Sequence, residues 1–204
     1  MTVETLQTRP LAIDDEAADL LFREARSIRT FSEEPVSDEQ LAHVYELLKF
    51  GPTLMNNQPL RITWVEQGAS RDRLVEAMAE GNRPKTQTAP ATAILSFDTA
   101  WTQHFADVFP HAPQAVEMFS EEGTRLEVGK NNAWLQAGYF IMAVRAVGLH
   151  AGPMAGFDAD AVDAAFNEGT GHRSFMVVNV GHPGEDAAHE RLPRLAPDVA
   201  VRTV

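Results

Sequence analysis

Two arginines and a hydroxyl group lie close together near the start of the chain, in the segment Arg26-Ser27-Ile28-Arg29. The guanidinium group carries a rigid fork of N–H donors, and that fork matches the oxygen atoms of a phosphate group. The segment is therefore a candidate anion site. Two solvated surface arginines would give the same pattern, and these four residues alone favour neither interpretation.

A polar loop at residues 52–59 is the second candidate site. It places three amide side chains, Asn56, Asn57 and Gln58, directly after a predicted helix. Amides supply hydrogen-bond donors and acceptors together, which suits the edge of a flat heterocycle. Ordinary turn chemistry also favours asparagine in loops, so the loop taken alone is equally typical of a turn.

Three shorter clusters follow along the chain. Asn82 and Lys85 supply an amide and a cation, and residues 152–157 are small enough for a ligand to approach the backbone N–H groups closely. Arg191 and Arg194 add two cations near the C-terminus. Each of these clusters taken alone is more typical of structure than of function.

The composition excludes several classes of function. The 204 residues include 17 Lys or Arg and 29 Asp or Glu, for a net charge of −12, whereas nucleic acids and anionic membranes require a basic face. Cysteine is absent, which excludes disulfides, thiolate nucleophiles, Fe–S clusters and zinc sites built on cysteine. The N-terminal residues show no signal-peptide pattern, so a cytoplasmic protein without membrane segments is expected.

Familiar catalytic motifs are also missing from the sequence. It contains neither the G-x-G-x-x-G of a Rossmann nicotinamide site nor a Walker P-loop, an H-E-x-x-H helix or a G-x-S-x-G elbow. His104, Asp107 and His111 could form a metal cluster. Surface histidines in a loop interrupted by proline are commoner, and we expect no metal site.

The periodicity of apolar residues predicts the elements that must position these candidates. Ser37 and Gln40 form a capping box at the start of the second predicted helix, and Gly148 ends the longest one. A loop is predicted at 150–157, and 101–122 is predicted as broken helix and loop. Helices are predicted at 11–26, 38–50, 70–80, 126–148 and 158–166, strands at 61–65, 91–97 and 174–181, and a possible terminal strand at 199–201. We expect one α+β or three-layer α/β domain over residues 1–204, with residues 1–10 as a flexible tail or arm.

Taken together and in order, the clusters resemble the nitroreductase superfamily of FMN-dependent NAD(P)H oxidoreductases. The resemblance rests on five segments, at residues 26–29, 52–59, 81–85, 148–158 and 191–193. Within that family the chain is most similar to the malonic semialdehyde reductase branch of pyrimidine degradation. The segments that carry this finer resemblance are 48–53, 109–112, 152–158 and 191–195.

The resemblance implies a nitroreductase-like α/β/α sandwich with a mainly antiparallel sheet, assembled as an intertwined homodimer with FMN at the subunit interface. It implies NADH or NADPH as the co-substrate in a ping-pong hydride transfer, with no catalytic side chain because the chemistry takes place at flavin N5. The residues that match cofactor-binding positions are Arg26, Ser27, Arg29, Pro52, Thr53, Asn56, Asn82, Lys85, Pro153, Met154, Ala155, Gly156 and Arg191.

The same resemblance assigns these residues to parts of the cofactor. Arg26, Ser27 and Arg191 match phosphate ligands, and Arg29 matches a cation near the ribityl chain and the pyrimidine edge. Asn82 and Lys85 match residues on the pyrimidine ring, and residues 153–156 match the loop whose backbone addresses N5. Thr53 and Asn56 match loop positions that reach the flavin of the other subunit.

The chain departs from the family pattern at Leu54, Leu60, Ala155 and His189. These changes alter the polarity of the substrate pocket and one phosphate contact. The resulting hypothesis is a reductase that converts malonic semialdehyde to 3-hydroxypropionate. A broad-range nitro or quinone reductase and a non-catalytic flavin-binding sensor or storage protein are the alternatives.

Overall fold

The computed structural model describes residues 11–204, and a four-stranded sheet lies at its centre. The strands are β1 (Leu60–Trp64), β2 (Ala91–Asp98), β3 (His150–Met154) and β4 (His172–Gly181). They are arranged in the order β1, β2, β4, β3, and each neighbouring pair is antiparallel. The predicted mainly antiparallel sheet is confirmed, and β1 and β3 form its two edges.

Helices cover both faces of this sheet. They are α1 (Asp15–Ala18), α2 (Asp38–Leu48), α3 (Ala69–Ala77), α4 (Arg83–Thr88), α5 (Phe105–Val108), α6 (Glu122–Ala146), α7 (Ala159–Phe166) and α8 (Pro197–Ala200). A π-helical turn (Asp19–Arg23) continues α1, and 3-10 turns occur at Leu54–Asn56, Glu80–Asn82, Trp101–His104 and Pro113–Phe119.

Two apolar clusters hold the three layers together. On one face of the sheet, α2 and α6 bury Leu48 and Phe140 against the strands. On the other face, α3 and α7 bury Leu74 and Val162. Every residue of β2 is buried as a result, which is why that strand reads as a continuous apolar run. The predicted α/β/α sandwich is confirmed.

Local capping fixes the helix starts that the sequence predicted. The Gln40 N–H donates to Ser37 Oγ (3.2 Å), and the Ser37 N–H donates to Gln40 Oε1 (3.0 Å), which completes the predicted capping box of α2. Asp158 caps α7 in the same way, by accepting from the Ala161 N–H (3.0 Å). The longest helix begins four residues earlier than predicted, because the Glu121 carboxylate accepts from the Gly123 N–H (2.9 Å).

The predicted loop at 150–157 is wrong over its first half, where β3 forms. Glycine and proline normally interrupt strands, so Gly152 and Pro153 led to the prediction of a loop here. Because β3 is an edge strand, Pro153 can lie opposite Val178 without needing an N–H on its outer side. Gly152 is required by close packing, since a Cβ at this position would lie 2.5 Å from the Ile28 carbonyl oxygen.

Both ends of the described chain also differ from prediction. The helix predicted at 11–26 is shorter, because Asp14 caps α1 and the π-helical turn ends at Arg23. The strand predicted at 199–201 is wrong, because Pro197 occupies the first turn of α8, where its fixed φ favours a helix. The predicted tail or arm, residues 1–10, lies outside the described residues.

The segment predicted as broken helix and loop at 101–122 is confirmed as three short helical pieces. Trp101, Phe105 and Phe119 pack against one another as a separate small cluster, with Trp101 and Phe119 ring centroids 4.9 Å apart. Among residues 11–204, no helix combines the length and the apolar character that crossing a membrane requires.

The close approach at Gly152 gives a stability prediction. The substitution Gly152→Ala should lower the free energy of unfolding by about 1–3 kcal/mol, because the new methyl group forces the backbone at Ile28 away from β3. Urea unfolding followed by tryptophan fluorescence measures this change. Gly81→Ala is the matched control, because a Cβ there meets no atom within 4 Å. An unchanged unfolding midpoint for Gly152→Ala would show that this contact is looser than described.

Candidate functional site

The segment at residues 26–29 lies against the outer edge of β3. The Ile28 N–H donates to the Ala151 carbonyl oxygen (3.1 Å), and Ile28 itself is buried. Gly152 allows this approach, as its missing side chain leaves room for the Ile28 carbonyl. The contact fixes the neighbouring residues Arg26 and Ser27 at the start of β3.

A cavity of about 420 Å³ opens at this end of the strand. Its wall includes the predicted residues Arg26, Ser27 and Arg191, and also Arg145 and Arg194. Four arginines therefore surround a space to which the lining residues contribute a single acidic side chain. In a chain with a net charge of −12, this is a strong local concentration of positive charge. We refer to this space as the arginine cavity.

The end of the π-helical turn holds three of these arginines in place. Arg145 Nη1 donates to the Leu21 carbonyl oxygen (2.8 Å), and Arg191 Nη2 and Arg26 Nη1 both donate to the Ala25 carbonyl oxygen (3.1 Å each). Carbonyls at a helix C-terminus lack intrahelical partners and carry partial negative charge, so cations are favoured there. Within residues 11–204 the other guanidinium nitrogens of Arg145 and Arg191 donate to no acceptor, and they can serve a ligand.

Little negative charge compensates the arginine cavity. Among its four arginines, Arg26 alone has a described carboxylate within ion-pair distance, the exposed Glu24 at 3.6 Å. Burial lowers the pKa of Arg145, and the charge of Arg191 lowers it further. A bound anion would relieve this repulsion, and a phosphate group fits the donor set of guanidinium forks and one hydroxyl group.

Arg29 lies beside the cavity and connects it to the C-terminal segment. Its Nη1 lies 2.7 Å from His189 Nε2, and its Nε donates to the Asp186 carbonyl oxygen (3.1 Å). His189 is itself part of the cavity wall. Arg29 therefore holds a residue of the cavity wall in place, and its predicted position near the ring edge stays a prediction.

The loop after β3 presents a second group of polar backbone atoms. Asn82 Nδ2 donates to the Gly156 carbonyl oxygen (2.9 Å), which brings two of the predicted clusters together. The N–H groups of Ala155 and Gly156 donate to no acceptor in the described chain, and both residues are exposed. A Cβ on Gly156 would lie 2.8 Å from Asn82 Nδ2, so a larger residue here would displace the Asn82 amide.

Lys85 lies on α4, close behind this loop. Its ammonium group forms no ion pair with a described carboxylate. Its carbonyl oxygen accepts from Asn179 Nδ2 (3.1 Å), a fully buried side chain of β4. The Lys85 backbone is thus tied to the sheet, while its charge is available to a ligand.

The strand β3 leads from the part that residues 26–29 contact to the Ala155–Gly156 loop, which follows its last residue. β3 runs from His150 to Met154, and at the usual rise along a strand these four residue steps span about 13 Å. Pro153 and Met154 lie between the two ends, with Met154 buried and Pro153 half-buried. An elongated ligand with a phosphate at one end and a hydrogen-bonding ring at the other fits this arrangement.

The predicted loop at 52–59 lies elsewhere in the described chain. Its backbone is strained, with positive φ at Met55 (49°), Asn56 (55°) and Gln58 (40°). Asn56 Nδ2 donates to the Val108 carbonyl oxygen (2.8 Å), and Thr53 Oγ1 accepts from the Gln58 N–H (3.2 Å). No hydrogen bond among residues 11–204 joins this loop, which includes Pro52, to the arginine cavity or to the Ala155–Gly156 loop.

Sequence reasoning missed Arg145 as a site residue. Its helical spacing placed it on an apolar face of the longest helix, where we interpreted it as a break in the apolar pattern and not as a binding residue. Its position inside an apolar stripe was the available signal, since a charged side chain there needs a partner. Arg194 was recognised as a cation but was not assigned to the site.

The free guanidinium nitrogens lead to a binding prediction. Arg191→Met should weaken FMN binding about tenfold or more and leave riboflavin binding unchanged, because riboflavin lacks the phosphate that Arg191 would contact. Quenching of flavin fluorescence on titration with protein measures both affinities. Arg202→Met, which removes the same charge from an exposed position, should change neither. Equal losses for FMN and riboflavin would contradict the phosphate assignment.

Comparison with known proteins identifies the fold. The chain is similar to a Bacillus subtilis nitroreductase, ydfN, with a TM-score of 0.82, 23% identity, and coverage of 90% of this chain and 97% of that one. It is also similar to an Exiguobacterium sibiricum nitroreductase solved in complex with FMN, with a TM-score of 0.80, 18% identity, and coverage of 97% and 100%. At this identity the likeness concerns the fold alone.

Sequence relatives extend the similarity to the whole chain. Proteins of Streptomyces griseus and Streptomyces coelicolor, both provisionally named NADH dehydrogenase/NAD(P)H nitroreductase, are 50% and 52% identical to it over 195 residues. Each alignment covers 95% of this chain and 99% of the relative. The model of the nitroreductase family matches residues 22–182, which include most of the segments described above. The chain belongs to the nitroreductase family.

Proposed function

We propose that this protein is an FMN-dependent oxidoreductase that takes electrons from NADH or NADPH. The observation that carries the proposal is the pair of ligand-binding groups at the two ends of β3, one cationic and one rich in free donors. A phosphate monoester fits the first group, and a flat ring with donor and acceptor edges fits the second. A related fold was solved in complex with FMN, and relatives are named as NAD(P)H enzymes.

The residues that would hold FMN divide into two sets. Arg26, Ser27, Arg145 and Arg191 would bind the phosphate through guanidinium forks and a hydroxyl group. Bound FMN would supply the ring atom N5, which accepts and donates the hydride.

At the ring end, this chain would bind and orient the flavin. The free N–H groups of Ala155 and Gly156 would donate to the ring, and Asn82 would bind its pyrimidine edge. The unpaired ammonium of Lys85 would favour negative charge on that edge. No side chain has to titrate for this chemistry, which accounts for the absence of a familiar catalytic motif from the sequence.

We further propose that the active form is a homodimer. Trp134, Leu135 and Tyr139 lie on the outer face of α6, each at least 40% exposed, and Phe50 after α2 is 79% exposed. Apolar side chains clustered on one surface usually mark a protein interface. In such a dimer the strained loop that holds Thr53 and Asn56 would reach the flavin of the partner, as the family resemblance implies.

The most specific part of the proposal is the identity of the substrate that accepts the electrons. Resemblance in four short segments supports malonic semialdehyde, reduced to 3-hydroxypropionate. The names of the Streptomyces relatives instead support a nitroreductase, and a broad-range nitro or quinone reductase is therefore the alternative. A flavin-binding sensor or storage protein would share the cofactor site but would show no turnover.

One experiment separates these functions. Purified protein mixed with excess FMN and then desalted should retain the absorption bands of bound flavin. Under anaerobic conditions, NADH or NADPH should bleach those bands. Malonic semialdehyde, a benzoquinone and a nitroaromatic compound, added separately to the reduced protein, should then show which acceptor restores the colour fastest.

Each stage has an outcome that contradicts part of the proposal. Protein that stays colourless after desalting is not an FMN enzyme. Bound flavin that neither nicotinamide bleaches indicates storage or sensing. Fast recovery with quinone or nitro compound but none with malonic semialdehyde assigns the broader reductase activity. Gel filtration of the same sample at a monomer mass would contradict the homodimer.

A further inference from the structure

Arg71, on α3, is a fully buried arginine whose role the flavin site as described does not include. Its side chain has no exposed surface, and it forms no ion pair with a carboxylate among residues 11–204. Burial lowers its pKa to about 10, so at neutral pH the guanidinium remains charged. A buried charge without a counter-ion destabilises a protein, and its retention calls for a reason.

The guanidinium joins three separate elements through their backbone carbonyls. Nη2 donates to the Val65 carbonyl oxygen (2.9 Å) at the end of β1, and Nη1 donates to the carbonyl oxygens of Thr86 (2.9 Å) in α4 and Ala89 (2.7 Å) before β2. The latter two carbonyls lie at the C-terminal end of α4, where helices lack partners for their last acceptors. Arg71 therefore fixes the end of α4 relative to the sheet.

A second buried side chain also binds the backbone of this helix. Asn179 Nδ2 donates to the Lys85 carbonyl oxygen (3.1 Å), and Asn179 Oδ1 accepts from Thr92 Oγ1 (2.9 Å). Asn179 and Thr92 are fully buried, as is Thr86 on α4. Two buried side chains thus hold consecutive carbonyls of α4, Asn179 that of Lys85 and Arg71 that of Thr86.

The helix fixed in this way carries the ring end of the candidate site. Asn82 precedes α4 directly and contacts the Gly156 carbonyl, and Lys85 lies in its first turn. The Arg71 guanidinium, which belongs to α3, reaches α4 at the carbonyl of Thr86, one residue beyond Lys85, and it is fully buried from water. Charges act more strongly in such surroundings than in solvent.

We propose that Arg71 is a positioning residue of the flavin site, which holds α4 at the pyrimidine edge and uses its unneutralised charge to favour the reduced, negatively charged flavin. This inference rests on the proposed FMN function. Arg71 touches neither cofactor nor substrate in this role. It acts through the placement of Asn82 and Lys85 and through its field at the ring.

Two substitutions separate placement from charge. Arg71→Met keeps an unbranched apolar side chain but removes the charge and every donor, whereas Arg71→Lys keeps the charge and loses the rigid fork. Both variants should bind FMN and riboflavin about tenfold more weakly and to an equal degree, because the defect lies at the ring and not at the phosphate. This pattern differs from that of Arg191→Met, which should affect FMN alone.

The charge is read from the ratio of dissociation constants for oxidised and reduced FMN, obtained from the midpoint potential of the bound flavin. Arg71→Met should weaken the binding of reduced FMN at least fivefold more than the binding of oxidised FMN. Arg71→Lys should leave the ratio of the two dissociation constants near the wild-type value. Circular dichroism confirms that each variant is folded. Arg202→Met, which loses one exposed charge, should match wild type in both measurements.

Each result decides the inference. A folded Arg71→Met protein with wild-type affinities and a wild-type ratio overturns it. If Arg71→Met does not fold, the Lys variant decides, because unchanged binding of both flavins by folded Arg71→Lys also overturns it. Wild-type protein that binds no flavin would instead contradict the proposed function, so the two failures are distinguishable.

Discussion

The contact between Ile28 and the edge strand β3 is the constraint on which the candidate site depends. One hydrogen bond to the Ala151 carbonyl and the missing side chain of Gly152 bring the N-terminal segment against the sheet. That contact closes the free edge of β3, which would otherwise expose unpaired backbone groups. It also sets Arg26 at one end of a strand whose other end leads directly to Gly156. This approach therefore places the N-terminal part of the candidate site against the sheet.

The net charge of the chain is negative, whereas the charge at the candidate site is positive. The chain carries an excess of acidic residues, yet the arginine cavity collects four cations around a helix end. Backbone carbonyls position Arg145 and Arg191, which have no carboxylate partner among residues 11–204, so the charge of these two is not cancelled locally. Arg71 follows the same principle in the interior, where carbonyl groups hold a charge that no acidic residue of the described part of the chain neutralises. Both features favour an anionic ligand.

Sequence patterns predicted the elements with regular local signals. The capping box at Ser37 and Gln40, the cap at Asp158 and the apolar run of β2 were readable because neighbouring residues determine them. The strand β3 was missed because its glycine and proline are explained only by contacts with Ile28 and by an edge position. Those contacts join residues more than 120 positions apart, beyond the reach of any local pattern.

The candidate site divides in the same way. Arg26, Ser27 and Arg191 were predicted to act together, and they line one cavity. Arg71 could not be predicted, because an arginine in an otherwise polar helix reads as a solvated residue until its burial is known. Thr53 and Asn56 belong to a loop that the described chain does not bring to the cavity, so their role depends on assembly.

A crystal structure of the protein grown with FMN tests the central claim most directly. If β3 is the frame of one flavin site, the phosphate will lie among Arg26, Arg145 and Arg191, and the ring will lie beside the Ala155 and Gly156 N–H groups. A flavin phosphate bound away from these arginines, or a ring on another face of the sheet, would contradict that claim.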